Sequence, residues 1–410
     1  MKKPWEVEGI EWREVKLENV CQKRSENVIP KNENLIYVGL EHVNSGESKL
    51  VRWGHSNNVK SIKYKFYPSD ILYGKLRPYL DKAVISDVEG VCSTDFIVIT
   101  PDKRKIIPYY LVFFLHTNSF VSYATSMMKG VHLPRVSWTT IKKVKLPIPF
   151  RNGKPDLETQ KKIVEYIEAN FSRIDKILEK KKKELGQFDD LWESVLEQAF
   201  KPKEGVEWRE VRLEEIAKEI KSGGTPSRKN KEYWENGTIP WVKIQDIPED
   251  GYVSYTEEKI TQDGLNNSSA KLLPKGTILF TIFATIGHVG ILNIEAATNQ
   301  AIAGIIPKED YNRKYLYWVL RKFGDELTQK GRGGAQNNIN LTFLKNLKIL
   351  IPFCNNQPDL EKQKEIANYL DSVYEKVKTI KEKIQIQINL LEDMKESILE
   401  EVFNHDEEAG

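Results

Sequence analysis

EGIEWREVKLENV (residues 8–20) returns almost unchanged as EGVEWREVRLEEI (204–216), and this repeat decides how the whole chain is read. Trp12 aligns with Trp208 at an offset of 196 residues. KLPIPFRNGKPDLETQKKI (145–163) returns as ILIPFCNNQPDLEKQKEI (349–366), and Phe150 aligns with Phe353 at an offset of 203. ESVLEQAF (193–200) returns as ESILEEVF (396–403), again at 203. Three collinear matches mean an internal duplication, and the change of offset places a net insertion of seven residues in the middle of the second copy. Each copy therefore has closely similar flanks and a divergent middle.

Both middles read as mixed α/β, richer in strand than in helix. LIYVGL (35–40), DILYGKL (70–76), FIVIT (96–100), TIPWVKI (238–244) and TILFTIF (277–283) are apolar, β-branched or aromatic runs bounded by turn-forming residues. YYLVFFLHTNSFVSYAT (109–125) and YLYWVLRKFGDELTQ (315–329) read as short amphipathic helices at corresponding places.

Each copy ends in a long helix. Pro155-Asp156 and Pro358-Asp359, each followed by Glu in the first turn, are N-terminal signals, and Gly186 is the one glycine inside either run. In the first helix, positions 164, 171, 178, 185, 192 and 199 are Val, Phe, Leu, Leu, Trp and Ala. In the second, positions 370, 377, 384, 391 and 398 are Leu, Val, Ile, Leu and Ile. A 3.5-residue seam held for about five heptads implies a coiled coil. The expected fold is α+β: two mixed α/β modules in tandem repeat, each followed by a long helix. The two helices are expected to pair as an antiparallel coiled coil with pseudo-twofold symmetry, so that one chain mimics a symmetric dimer. The expected division is 1–155 and 204–358 for the modules, with 156–203 and 359–410 for the helices and tail. A helix of about 44 residues is a rod of roughly 65 Å, which would set a distance between modules.

The 410 residues carry 62 basic and 59 acidic side chains, a net charge of only +3. That average hides a pattern. Residues 1–155 hold 25 basic against 15 acidic groups (+10), 156–203 hold 10 against 11 (−1), 204–358 hold 20 against 19 (+1), and 359–410 hold 7 against 14 (−7). Such asymmetry implies distinct surfaces for distinct partners. With 40% hydrophobic and 30% charged residues, global disorder is excluded. Cys21, Cys92 and Cys354 form no CxxC or ligand spacing, which speaks against disulfides and zinc and fits a reducing cytoplasm. MKKPWEVEGIEW lacks the apolar core of a signal peptide, and the most apolar stretch, 277–292, is short and glycine-broken, so no membrane is expected.

Catalytic patterns are missing. The sequence has no GxxxxGK[ST], no GxGxxG after a strand, no HExxH, no GxSxG and no Asp/Asn-Pro-Pro-aromatic tetrapeptide. Pro155-Asp156 with Glu179-Lys180-Lys181 formally fits a PD…ExK nuclease pattern. Its two carboxylates, however, fall on one helix about 35 Å apart and so cannot share a metal ion. The second copy lacks the pattern, and none of the six histidines pairs by spacing with a ligand or nucleophile.

What the middles offer instead is cations among aromatics and amides. The first has Arg52-Trp53-Gly54-His55-Ser56-Asn57, then the Tyr73–Tyr79 run and Lys129–Arg135. The second has Lys221–Lys229 and the Gly-rich Lys330–Asn338 loop. Such groups neutralise phosphates and read base edges, although each cluster alone is commonly a solvated face.

The SGGTPSRKNKEYWENGTIPWVKIQDI block (222–247), DILYGKLRPYLDKAV (70–84) with CSTDFIVI (92–99), GGAQNNINLTFLKNLKILIPF (333–353), the repeated openings and both IPF-to-helix junctions carry a resemblance over nearly the whole chain. The chain resembles the DNA-specificity subunit of type I restriction–modification enzymes. LPRVSW (133–138) stands where that family often has a Gly-Gln/Asn-rich turn, so the first copy departs from the pattern there. The resemblance implies a non-catalytic subunit without cofactor that reads a bipartite target on double-stranded DNA. It implies two methyltransferase subunits and motor-nuclease subunits as partners, with the helices as a ruler for the gap. The acidic final helix then reads as protein-contact surface. The residues expected to meet the first half-site are Arg52, Asn57, Lys75, Arg77, Tyr79, Lys129 and Arg135. For the second they are Thr225, Ser227, Arg228, Lys229, Lys243, Arg332, Gln336, Asn337 and Asn338. Two other classes stay open on sequence: a self-sufficient nuclease or methyltransferase, and a free-standing DNA-binding regulator or coiled-coil adaptor.

Overall fold

The computed structural model describes residues 3–30, 34–57, 61–331 and 339–404. The chain divides into two compact units, one of residues 1–183 with 384–410, the other of residues 184–383. Each unit therefore combines one divergent middle with the first part of one long helix and the last part of the other.

In the first unit the repeated opening is the strand Glu11–Lys16, antiparallel to Lys145–Arg151, with Trp12 opposite Pro149. In the second, Glu207–Arg212 pairs with Lys348–Cys354 in the same register, with Trp208 opposite Pro352. The two conserved flanks of a copy are thus the two halves of one ladder, which explains why they repeat together. In both, arginine stacks on phenylalanine across the ladder: Arg13 lies 4.5 Å from the Phe150 ring, and Arg209 lies 4.5 Å from that of Phe353.

The rest of the first middle forms a four-stranded sheet ordered Cys21–Lys23, Phe96–Pro101, Ile71–Gly74, Ala83–Ile85, and a five-stranded sheet ordered Asn27–Val28, Lys63–Phe66, Gly90–Cys92, Ile36–Val38, Gly54–His55. The second middle forms a five-stranded sheet ordered Ala217–Ser222, Ile302–Pro307, Ile278–Thr281, Val289–Leu292, Tyr252–Val253, and a three-stranded one ordered Glu258–Ile260, Ile239–Val242, Ala297–Thr298. All five expected strands are present. The helical run at 109–125 is broken in two, Pro108–Leu115 and Asn118–Ser126, because Thr117 caps the second piece by accepting from Phe120 N. The first piece is buried almost all round rather than amphipathic. The corresponding helix of the second unit, Arg313–Gly331, is continuous.

The long helices run Leu157–Ala199 and Leu360–Phe403. The repeated PDLExQK junction has a physical reason at each position. Asp156 caps the first helix by accepting from Thr159 N and Thr159 Oγ1 and pairs with Arg151 at 2.9 Å. Asp359 caps the second by accepting from Lys362 N at 2.9 Å. One turn later, Gln160 accepts from Ile107 N and Gln363 accepts from Asn312 N, each at 2.9 Å, which ties each helix start to its module. Asp156 is therefore an engaged helix cap, not half of a metal-binding carboxylate pair.

Within each unit the helices run antiparallel. In the first, Asp175 pairs with Lys395, and Lys182 lies 3.7 Å from Glu392. In the second, Asp189 pairs with Lys381. Val164, Leu178, Leu370, Val377 and Ile384 of the expected seam are buried. The end of each helix also enters a module core: Leu399, Val402 and Phe403 in the first unit, Leu196 and Ala199 in the second. Among the described residues, no helix is long and apolar enough to cross a membrane.

Candidate nucleic-acid interface

The first unit gathers four of its seven expected residues into one place. The strand Ile71–Gly74 ends at Lys75, whose carbonyl accepts from Val136 N. Arg77 N donates to Pro134 O, and Lys129 and Arg135 exchange both backbone hydrogen bonds at 2.9 Å. Lys75, Arg77, Lys129 and Arg135 are thereby brought together from sequence positions up to sixty apart. Arg135 pairs with Asp95 at 2.9 Å. Lys75, Arg77 and Lys129 have no ion-pair partner among the described residues.

Sequence reasoning missed two members of this cluster. The ammoniums of Lys23 and Lys75 each lie 5.8 Å from the Tyr64 ring. Partial burial pushes the Lys75 ammonium below its usual range, and the neighbouring cations Lys23 and Arg135 push the same way against Asp95. A cationic group surrounded by further cations and one carboxylate is electrostatically unsatisfied, and an anion would relieve it. The missed signal is Lys23, the last residue of the strand Cys21–Lys23, which the sequence offers only as one more surface lysine.

Tyr79 lies in a 3-10 turn, Pro78–Leu80, and is about half exposed. That turn is bracketed by two non-glycine residues in the left-handed region, Arg77 at φ +52° and Asp81 at φ +45°. His116 holds the strained turn from below. Its Nδ1 lies 2.7 Å from Asp81 Oδ1, and its Nε2 lies 2.8 Å from Ala83 O and 3.1 Å from Glu47 O. All three partners are acceptors, so both ring nitrogens must donate and the ring is an imidazolium. Burial opposes this charge. Asp81 and the hydrogen bonds outweigh it and hold the imidazole above its ordinary value. Arg52 and Asn57 belong to a different segment, around the strand Gly54–His55; Arg52 is half exposed and pairs with Glu47 at 3.1 Å.

In the second unit the loop Gly223–Asn230 carries Thr225, Ser227, Arg228 and Lys229. The loop is pinned by its glycines. A Cβ on Gly223 would lie 2.2 Å from Thr298 O, and one on Gly224 would lie 2.2 Å from Ser269 Oγ and 2.4 Å from Ala270 N. Gly224 N donates to Thr298 O at 2.8 Å, and the Trp241 indole donates back to Gly224 O at 2.9 Å. Thr225 Oγ1 donates to Gln300 Oε1, and the Trp234 indole donates to Ser227 O at 3.2 Å. Arg228 follows, its guanidinium 3.7 Å from the Trp234 ring and 5.1 Å from that of Trp241.

Arg228 Nη1 lies 2.6 Å from Glu258 Oε2, an ion pair whose angle leaves that oxygen without a well-formed hydrogen bond. Lys243 Nζ donates to Glu257 Oε2 at 2.6 Å and to Glu258 Oε1 at 3.0 Å, and Gln245 Nε2 donates to Glu257 Oε2 at 2.9 Å. Glu257 and then Glu258 raise the Lys243 ammonium above its usual range. Lys243 in turn holds the Glu257 carboxyl below its own. Partial burial works against the Glu258 carboxylate, but Arg228 and Lys243 outweigh it and keep that carboxyl low as well. The structure brings Arg228 and Lys243 together through two carboxylates that the sequence did not single out. Arg332, Gln336, Asn337 and Asn338 lie outside the described residues.

Comparison with known proteins agrees with this architecture. The family described as "Type I restriction modification DNA specificity domain" matches residues 9–187 and again 205–390. The specificity subunit of the EcoR124I/EcoR124II type I restriction enzyme of Escherichia coli is 28% identical over 321 residues, covering 76% of this chain and 74% of that one. That of the HindI type I enzyme of Haemophilus influenzae is 24% identical over 431 residues, covering 83% and 90%. Among solved structures, a chain from a study of assembly and conformational transition of the type I restriction–modification system aligns at a TM-score of 0.79 and 23% identity, covering 98% of this chain and 99% of that one. The HsdS subunit of Thermoanaerobacter tengcongensis aligns at 0.57 and 23% identity, covering 98% of both. With its domain matched twice over most of the sequence, the chain belongs to the type I restriction–modification DNA specificity family.

Proposed function

We propose that this chain is the non-catalytic specificity subunit of a type I restriction–modification complex and reads the two halves of a bipartite double-stranded DNA target. Residues 1–155 and 204–358 are the readers, and residues 156–203 and 359–410 form the paired-helix spacer that sets the unread gap. The observation that carries this reading is the family domain, present twice, with a lysine or arginine set against an aromatic ring in each copy. In the first reader, Lys23, Lys75, Arg77, Lys129 and Arg135 position the DNA through its phosphates, while Tyr79, Arg52 and Asn57 meet other parts of the same half-site. In the second reader the loop of Thr225, Ser227, Arg228 and Lys229, with Lys243, Arg332 and Gln336–Asn338, meets the other half-site.

Two methyltransferase subunits supply methyl transfer, and motor-nuclease subunits supply cleavage. The acidic second helix, whose segment 359–410 carries net charge −7, repels DNA and suits contact with protein. The complex acts in the cytoplasm, where its DNA is. Methylome sequencing of cells with and without this chain tests the reading. A two-part methylated motif that disappears with the chain supports it, and an unchanged methylome overturns it.

A further inference from the structure

The cations of the two readers are set in different electrostatic surroundings. In the first reader Lys23, Lys75, Arg77 and Lys129 form no ion pair among the described residues, although Asp95 acts on Lys75 from beyond ion-pair distance, and this arrangement favours a phosphate chain. In the second, Arg228 and Lys243 are matched charge for charge by Glu258 and Glu257. Asp246 adds a further carboxylate beneath them, accepting from Lys243 N at 2.7 Å and Glu257 N at 3.4 Å. Among these five groups the carboxylates outnumber the cations, so Arg228 and Lys243 are not left free for a phosphate.

The patch is nonetheless built for hydrogen bonding. The Arg228 guanidinium is clamped against Trp234 and held at one end by Glu258, and its side chain remains 53% exposed. A planar fork fixed in this way loses little freedom when it engages a second planar group. The Glu257 side chain is 65% exposed and, being ionised, is a pure acceptor. Base edges, unlike phosphates, present donors as well as acceptors. Guanine offers O6 and N7 to an arginine fork, and cytosine offers its N4 amino group to a carboxylate.

We propose that this cluster reads a G·C pair in the major groove of the second half-site, with Arg228 on guanine O6 and N7 and Glu257 on the cytosine amino group. Glu258 and Lys243 are positioning residues that aim Arg228 and Glu257. The proposal rests on the specificity-subunit reading above and assigns what one part of that surface recognises.

The test measures binding of the full-length chain, in complex with its methyltransferase subunits, to its own methylation target. It also uses that target with each G·C pair of the second half-site replaced in turn by A·T. The wild-type complex should lose about tenfold to a hundredfold in affinity at the pair that is read. R228K keeps the charge but loses the fork, and should flatten that discrimination while leaving the salt dependence of binding unchanged. E257Q, at an exposed position where folding is not at stake, should shift the preference at the cytosine position towards adenine, whose N6 and N7 suit an amide. A uniform loss on all sequences in R228K, with discrimination at every G·C pair kept, would make Arg228 a phosphate contact and overturn the proposal. So would wild-type discrimination in both variants. If the wild-type complex itself shows no sequence preference, it is the specificity-subunit reading that fails.

Discussion

The ring of Phe403, at the last turn of the second long helix, packs 5.0 Å from that of Tyr110 in the first module, at an interplanar angle of 62°. The second unit repeats the relationship: Phe200, just past the end of the first long helix, packs 5.4 Å from Tyr315 at 80°. Each tyrosine hydroxyl also donates to the closing strand of its own ladder, Tyr110 to Pro147 O at 2.8 Å and Tyr315 to Leu350 O at 2.6 Å. Each module core is therefore completed by the helix that belongs to the other copy.

Phe403→Ala should destabilise the first unit by about 3–5 kcal/mol, the usual cost of emptying a buried aromatic site. Urea denaturation with limited proteolysis checks this, and the new cleavage sites should fall in the first unit. Cleavage confined to residues 184–383 would contradict the packing described above.

Gly224→Ala places a methyl group 2.2 Å from Ser269 Oγ and 2.4 Å from a backbone nitrogen. The cost of such overpacking is about 1–3 kcal/mol, and relief requires the Thr225–Lys229 loop to move. Binding to targets altered in one half-site at a time should show selectivity lost at the second half-site and retained at the first. Equal loss at both would show that the loop serves no single reader.

Lys23→Ala and Lys75→Ala should weaken binding to all DNA sequences alike. Each should reduce the slope of log affinity against log salt by about 0.9, the value for one released phosphate counterion. Titrations at several salt concentrations provide the measurement, and an unchanged slope would remove these lysines from the phosphate contacts.

His116 makes the stability of the first unit depend on pH. Its folded pKa is raised above the unfolded value near 6.5. The stabilisation is complete below that unfolded value and fades as pH rises through the folded one, because only the folded state then retains the proton. Thermal unfolding from pH 6 to pH 9 should show the first unit weakening as pH rises, with the slope removed in His116→Gln. A slope that survives the substitution would assign it to another group.

Much of this was legible in the residues. The duplication, the strand runs, the long helices and their seam all rest on local pattern and spacing, which a linear sequence carries directly. The candidate site was legible only in part. Lys75, Arg77, Lys129 and Arg135 were recognisable as basic clusters, but nothing in their order shows that Leu76 and Lys129 each bridge to Arg135 across the fold. The break in the 109–125 run was hidden because Thr117 reads there as one more residue of an apolar helix, and only the folded chain shows its side chain capping the second piece.

The amino-acid sequence by itself determined that the chain is two copies of one plan with a heptad seam, because periodicity and repetition are properties of the order of residues. Tertiary structure alone decided which helix end completes which core and which cations keep their charge free. It exposed Lys23 and Lys75 together beside Tyr64, and it matched Arg228 and Lys243 with Glu258 and Glu257. The reason is physical: Coulomb interactions and packing depend on distance in space, and the residues that set them here come from different strands and loops.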